Sequence, residues 1–304
     1  MIVGSLSRRA FDERLAGTGL KVQLGPFVVK IRAELPSIVS HLWAFYREYP
    51  LSALEAITDF DVGVRRCRSM RSGRRQAQFL VDGRPPFWPL PAGHALPGFE
   101  WGLNWCVATR AHNFLMLHSA VVERGGCAAL FPAWPGHGKS TLCTGLIHSG
   151  WRLLSDEFGL VCPEDGSLVP LPRLIPLKNE SIGVIRRFRP EAHIGPSFYG
   201  TRKGTVAHVR PPADSISRAQ ETALPRWLVF PRWVAGSPLI LEPMDKGQAF
   251  LMVATNAFNY EVLGEIAFNL VSAMVRRCDC YSLTYSDLDE AIDAMDRLSA
   301  SIHA

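Results

Sequence analysis

Short runs of alternating apolar and polar residues punctuate the first hundred positions of the chain. Phe27-Val28-Val29-Lys30-Ile31-Arg32 reads as an extended segment, and the stretch from Ile38 to Tyr46 carries a helical period. Phe60-Asp61-Val62-Gly63-Val64 and Gln76-Ala77-Gln78-Phe79-Leu80-Val81 alternate on either side of Ser72-Gly73, the pattern of a hairpin and its turn. Pro85-Pro86, Pro89, Pro91, Gly93, Pro97 and Gly98 then form a run that continues neither a helix nor a central strand. This run predicts a connector, with a smaller N-terminal α+β domain over residues 1–98 and the main domain over residues 99–304.

Beyond the connector the order is strand, turn, strand, loop, helix. Leu115 to Glu123 and Cys127 to Phe131 are the strands, Gly125-Gly126 the turn, and Ser140 to His148 the helix, stopped by Gly150. Trp151 to Ser155 and Phe158 to Cys162 read as further strands, as do Leu171 to Leu177, Thr205 to Val209, Trp227 to Phe230 and Tyr281 to Tyr285. Helices are predicted over Asn179 to Arg189, Gln248 to Ala257 and Glu261 to Arg276, and in a last amphipathic segment with Ser286 as its N-cap. Strands joined both by hairpins and by a helix imply an α/β fold with a mixed sheet.

Composition narrows the class without deciding it. With 304 residues, 47% hydrophobic and 20% charged, the chain can bury a sizeable core, and neither disorder nor a coiled coil is the default expectation. No run reaches the ~20 apolar residues of a membrane span, and the opening residues lack a basic stretch followed by an apolar one, so a cytoplasmic protein is expected. Seven cysteines in regular segments suggest reduced thiols, with Cys278 and Cys280 buried at a helix-to-strand junction rather than holding a metal. The net charge of +5 hides a concentration of Arg65, Arg66, Arg68, Arg71, Arg74 and Arg75. The bland reading, a solvated hairpin, outweighs nucleic-acid binding, because no stacking aromatics accompany the cluster.

Chemistry enters at Ala133-Trp134-Pro135-Gly136-His137-Gly138-Lys139-Ser140-Thr141. Phosphate loops of the form Gly-x4-Gly-Lys-Ser/Thr curl backbone N–H groups round phosphates, while the lysine balances their charge and the hydroxyl holds magnesium. The second half of that pattern is intact, between an apolar strand and a helix. The first glycine is replaced by Ala133, and Gly136 is expected to supply the positive φ. Gly136, His137, Gly138, Lys139, Ser140 and Thr141 are therefore the expected nucleotide contacts, with His137 present for its backbone. The competing reading is a plain helix start capped by Ser140 or Thr141. Asp156 and Glu157 end a strand near the one feeding the loop, where a base and a metal carboxylate would be wanted. His118, in mid-strand, and Lys178, in Lys178-Asn179-Glu180, read from their neighbours alone as a core histidine and as surface charge or site charge alike.

His118 through Glu157 resembles the catalytic core of the HPr kinase/phosphorylase family, bacterial P-loop serine kinases related in fold to phosphoenolpyruvate carboxykinases. The chain is more closely similar to the group described as HPr-kinase-related kinases. Besides the loop, the carrying stretches are Phe99 to Cys106, Gly150 to Glu157, Leu177 to Ser181, Lys203 to His208 and Tyr285 to Asp289. The resemblance implies that His118 lies close to the phosphate and an aspartate, that Lys139 is the loop lysine, and that Ser140 holds the metal. It aligns Asp156 and Glu157 with a pair of aspartates, one of them the base. Asp156 is taken as the base, and Glu157, one methylene longer, as the residue nearer the metal together with Ser140. Lys178 joins Asp156, Glu157 and His118 as a catalytic candidate.

The second Arg/Gly-rich signature of HPr kinases is replaced by Lys178-Asn179-Glu180-Ser181-Ile182-Gly183, which argues against HPr as the acceptor. The expected activity is transfer of the γ-phosphate of ATP, with Mg2+, to a Ser/Thr hydroxyl of a small protein or peptide, in keeping with relatives associated with peptide modification. A homo-oligomer is expected because related kinases form oligomers. A nucleotide-dependent switch with weak chemistry and a small-molecule kinase are the alternatives.

Overall fold

A computed structural model describes residues 1–70, 72–134 and 136–301, so Arg71 and Pro135 lie outside the described residues. The chain forms two compact units, one from Met1–Arg110 with Pro196–Val206 and one from Ala111–Gly195 with Ala207–Ala304. The first contains α1 (Arg8–Ala16), β1 (Leu20–Leu24), β2 (Phe27–Ala33), α2 (Pro36–Tyr46), β3 (Phe60–Arg68), β4 (Arg75–Val81), β5 (Leu90–Pro91) and α3 (Ala95–Arg110). Its five strands form a sheet in sequence order, with β2 and β3 parallel and the other pairs antiparallel.

The hairpin expected around Ser72-Gly73 is present as β3 and β4, in register from Val62 opposite Val81 to Arg68 opposite Arg75. Arg65, Arg66, Arg68, Arg74 and Arg75 are all exposed on it. The proline-rich connector, by contrast, ends sooner than expected, because α3 begins at Ala95 and runs across the 98/99 position. Pro97 is tolerated because it falls in the first helical turn, where its missing N–H costs nothing. The glycines of α3 serve packing: a Cβ on Gly102 would meet the Phe79 ring at 2.4 Å. Glu100 on the same helix is buried and accepts a hydrogen bond from the Tyr46 hydroxyl at 2.6 Å.

The second unit opens with β6 (Leu115–Arg124), β7 (Cys127–Pro132), α4 (Lys139–Ile147), β8 (Arg152–Ser155), β9 (Phe158–Val161), β10 (Leu168–Val169), β11 (Ile175–Lys178) and α5 (Glu180–Phe188). β12 (Phe198–Thr201) and the first residues of β13 (Gly204–Val209) belong to the segment of the first unit. There Phe198 is buried, and its ring meets His41 edge-on at 5.5 Å. The second unit continues with α6 (Ala213–Ser217), β14 (Leu224–Trp233), β15 (Ile240–Pro243), α7 (Lys246–Thr255), α8 (Tyr260–Leu263), α9 (Glu265–Arg277), β16 (Asp279–Tyr285) and α10 (Leu288–Ala300).

Its main sheet is mixed, as expected, in the order β10-β9-β6-β7-β14-β16-β15, with β8 also pairing β6. β7, β14 and β16 run parallel, and the remaining pairs are antiparallel. Period-two alternation sends Ala120, Ala129, Phe131, Trp227 and Val229 to one apolar core, and Leu117, Val121, Leu130, Leu228 and Phe230 to another. Both faces of the sheet are thus buried, which is why its central strands are nearly continuously apolar. α4 and α10 contribute to the first core and α7 and α9 to the second.

Three expectations need correction. The single helix expected over Glu261 to Arg276 is split into α8 and α9 by Gly264 at φ 53, a conformation that glycine adopts cheaply. Asp287, not Ser286, caps α10, accepting from the Glu290 N–H, while the Ser286 hydroxyl donates to the Ser237 carbonyl. Of the strand expected over Leu171 to Leu177, only Ile175 onward is extended and paired. Cys278 and Cys280 are buried thiols at the α9–β16 junction, and no helix among the described residues is long and apolar enough to cross a membrane.

Candidate functional site

Strand β6 organises the site. Along one of its edges, β9 pairs from Leu115 to His118 and β8 from Val121 to Glu123. Asp156 and Glu157 are the two residues between those strands, so they interrupt the ladder opposite Ser119 and Ala120. Such a break bends the chain and aims side chains that a regular ladder would hold in the sheet. Along the other edge of β6, Ser119 pairs with Pro132, the last residue of β7 before the glycine loop. His118, the carboxylate pair and the root of the loop therefore converge on one level of the sheet.

Strand β7 runs into the loop, and the loop into α4, whose N-cap is Gly138 at φ 85 with no side-chain cap. The capping role considered for Ser140 or Thr141 is not what the structure contains. Gly136 also has positive φ, at 91, whereas the non-glycine residues with positive φ among those described are Asp82 and Asn179. Ala133 thus has an ordinary backbone conformation, and the left-handed turns fall on the two glycines the sequence retains. His137 takes part through its backbone, its carbonyl accepting from the Trp233 N–H at 3.2 Å. The Tyr285 hydroxyl donates to the Gly138 carbonyl at 3.2 Å, and a Cβ on Gly138 would lie 2.6 Å from that hydroxyl.

Trp233 is a site residue that sequence reasoning missed, and Tyr285, named there only as a strand end and within a stretch carrying the resemblance, was given no place in the site. Each is the last residue of a parallel strand, β14 and β16 respectively. Ligands in open α/β sheets lie outside the carboxyl ends of such strands, so the parallel pairing with β7 was the signal that would have found them.

Lys139 is 8% exposed, and its Nζ has no hydrogen-bond partner among the described residues. Asp156 and Glu157 act on its charge, yet the ammonium's N–H donors are left without an acceptor, which is costly in a buried position and leaves room for an oxyanion. Asp156 is 4% exposed; its Oδ2 accepts from the Ser140 hydroxyl at 2.8 Å, while its Oδ1 is also without a partner. Burial pushes the Asp156 carboxyl up to about 7, against the opposing pull of Lys139 and with help from the negative charge of Glu157.

Glu157 pairs with His118, Oε2 to Nε2 at 3.3 Å, so Ser140 meets Asp156 and Glu157 meets the histidine. Burial alone would raise Glu157, but the His118 hydrogen bond, Lys139 and Lys178 outweigh it and bring the carboxyl to about 2. The two adjacent carboxyls are thereby pushed in opposite directions, Glu157 kept ionised and Asp156 brought to titrate near neutrality, the separation by which acid and base roles are assigned. Lys178, at the end of β11, acts electrostatically on both. His118 is further fixed by its backbone N–H, which donates to the Asn256 carbonyl, and by the edge-on ring of Phe258 at 5.6 Å.

A cavity of about 570 Å³ opens beside the loop, reaching Gly136, Gly138, Thr141 and Lys178. All the candidate site residues are thus in the second unit, whereas the arginine hairpin is in the first. No family model and no curated protein matches this sequence.

Proposed function

We propose that the chain is an ATP-dependent kinase of the HPr-kinase-like P-loop type, transferring the γ-phosphate to a Ser/Thr hydroxyl of a small protein or peptide. The observation that carries this reading is the pair of buried polar atoms without hydrogen-bond partners, Lys139 Nζ and Asp156 Oδ1, beside a loop whose glycines carry the left-handed turns. Both are satisfied by a phosphate group with its hydroxyl acceptor, and neither is explained by a helix start alone.

In this reading the loop N–H groups and Lys139 bind the β- and γ-phosphates. Asp156, poised near neutrality, takes the proton from the acceptor oxygen as the phosphate is transferred and ADP departs. His118 keeps Glu157 oriented and ionised, and Lys178 adds positive charge where the transferred group is most negative. Among the described residues no three His, Cys, Asp or Glu side chains gather round a metal position. Magnesium commonly uses one or two protein ligands plus substrate phosphates. Ser140 with Glu157 was the expected pair, but the Ser140 hydroxyl meets Asp156 and Glu157 meets His118, so Ser140 and the carboxylate pair beside it would hold the ion, where it would neutralise phosphate charge. The alternative of a switch without transfer rests on the replacement of the first loop glycine by Ala133, whose backbone conformation is ordinary.

The acceptor is found by mass. Small proteins encoded beside this gene are incubated with the purified kinase, ATP and magnesium, and one is expected to gain the mass of a single phosphate. If none gains mass while ATP still binds, the binding-module alternative takes its place.

A further inference from the structure

The arginine hairpin of the first unit takes no part in the phosphate-loop chemistry, and its charges stand without counter-charges. Arg65, Arg66, Arg68, Arg74 and Arg75 are exposed, and among the described residues none of them pairs with a carboxylate. Elsewhere in the same unit Arg8, Arg9, Arg32, Arg47 and Arg110 each do. At the far end of β3, Asp61 meets both Arg32, at 2.8 Å, and Lys30, at 3.7 Å.

Register sets these charges against one another. Val62, Val64, Arg66 and Arg68 share one face of β3, and Val81, Phe79, Ala77 and Arg75 lie opposite them on β4. The two rows are buried as far as Val64 and Ala77 and end in arginine. The Ser69 N–H donates to the Arg74 carbonyl, so the neighbouring pair, Arg68 opposite Arg75, is of the non-hydrogen-bonded kind, in which side chains are closer. Like charges directly opposite destabilise a hairpin.

The same hairpin has an open edge. β2 ends at Ala33, opposite Val64, so from Arg65 to Arg68 no strand lies along that side of β3. There the Arg66 N–H donates to the Glu34 carboxylate at 3.3 Å. Alternate residues present their backbone groups to the same edge, so the Arg66 carbonyl and both backbone groups of Arg68 face this open side. Charge on an edge is a common guard against pairing with a second copy of the chain. That role does not account for Arg68 set against Arg75, and it does not repel a strand of opposite charge. Nucleic acid would meet the charges without using the backbone edge. Trp88, 83% exposed and lining a small recess with Val64 and Ala77, suits a base and an apolar side chain alike, so the edge decides between the two classes.

We propose that the β3–β4 hairpin is a docking site for an acidic, extended polypeptide segment, which adds as a strand beside Arg66 and Arg68 and turns its carboxylates to the arginine face. Main-chain hydrogen bonds to the open edge hold such a strand, and the arginines select its charge. Docking here needs nothing of the phosphate loop.

The probes are a fluorescein-labelled peptide alternating glutamate and threonine, the same peptide N-methylated at every backbone nitrogen, and a single-stranded oligonucleotide of equal net charge. Each is titrated with the full chain and followed by anisotropy. Wild-type protein is expected to bind the peptide, less tightly as salt rises, and to bind the other two at least about tenfold more weakly. Arg66→Gln with Arg68→Gln weakens peptide binding by about tenfold or more, whereas Arg276→Gln with Arg277→Gln, the same loss of charge on α9, leaves it unchanged. The Arg66/Arg68 variant also melts no lower than wild type, because the charge opposite Arg75 is gone. Peptide affinity unchanged in that variant, or weakened equally in the α9 variant, overturns the proposal. So does a lower melting temperature of the Arg66/Arg68 variant, an N-methylated peptide or oligonucleotide bound as tightly as the peptide, or no peptide binding by wild type.

Discussion

Asp156 carries a stability cost that the reaction uses. Its carboxyl titrates near 7 in the folded chain against an ordinary value of 3.8, so between those limits the folded state keeps a proton that the unfolded state has lost. Stability therefore falls as pH rises through that window, and the loss persists above it. Asp156→Asn keeps the shape and removes the charge. It is expected to melt higher than wild type at about pH 8, by on the order of a few kcal/mol, with the difference closing toward about pH 4. A thermal melt series of both proteins across pH checks this, and parallel curves would contradict it. Glu157 works in the opposite direction: its carboxyl is lowered from 4.5 to about 2, so its contribution is present above 4.5 and lost as pH falls toward 2. For kcat/KM, which reports the free enzyme, the acid limb is expected to bend near 7 and to disappear in the asparagine variant.

Among the elements, the turn between β7 and α4 depends on one glycine more than any other. Gly138→Ala would place a methyl group 2.6 Å from the Tyr285 hydroxyl at a φ of 85, so it is expected to cost stability and to weaken ATP binding at least about tenfold. Gly136→Ala meets nothing within 4 Å and pays for its backbone conformation only, so titration of both variants should rank Gly138 as the more damaging. The edge carrying Asp156 is anchored by Arg152, which donates to Glu123 at 2.5 Å and to the carbonyls of Arg218 and Glu221. Both ionic side chains are 4% exposed, so Glu123→Ala leaves a buried guanidinium without its counter-charge. A loss of about 3–5 kcal/mol in denaturant unfolding is expected. The loop, the helix after it and the carboxylates were legible in sequence, because strand, glycine-bearing turn and helix follow one another locally. The cap of α10 was misread by one residue, since Ser286 and Asp287 both suit the role and only the distant Ser237 carbonyl decides between them.

At the scale of the whole chain, local pattern gave less. The α/β class and the mixed sheet followed from hairpins and helices in sequence, but the strand order did not, because β14 reaches β7, and β16 reaches β14, across long stretches of chain. The place of Trp233 and Tyr285 beside the loop stayed hidden for that reason. The return of Pro196–Val206 to the first unit was equally hidden, being held by contacts such as Phe198 with His41 and the Lys203 ammonium over the Trp101 ring. A fragment covering residues 111–304 lacks those partners. It is expected to melt below the full chain and to be cut by protease within 196–206; equal melting and an uncut segment would contradict this division. The account as a whole is tested most directly by transfer of label from the terminal phosphate of ATP, in the presence of magnesium, to an acceptor polypeptide, with wild-type protein and Asp156→Asn side by side. Label on a serine or threonine with wild type, and a loss of about a hundredfold or more in the variant while it still binds ATP, is the predicted result. Transfer at full rate in Asp156→Asn, or no transfer by wild type to any acceptor, would contradict it.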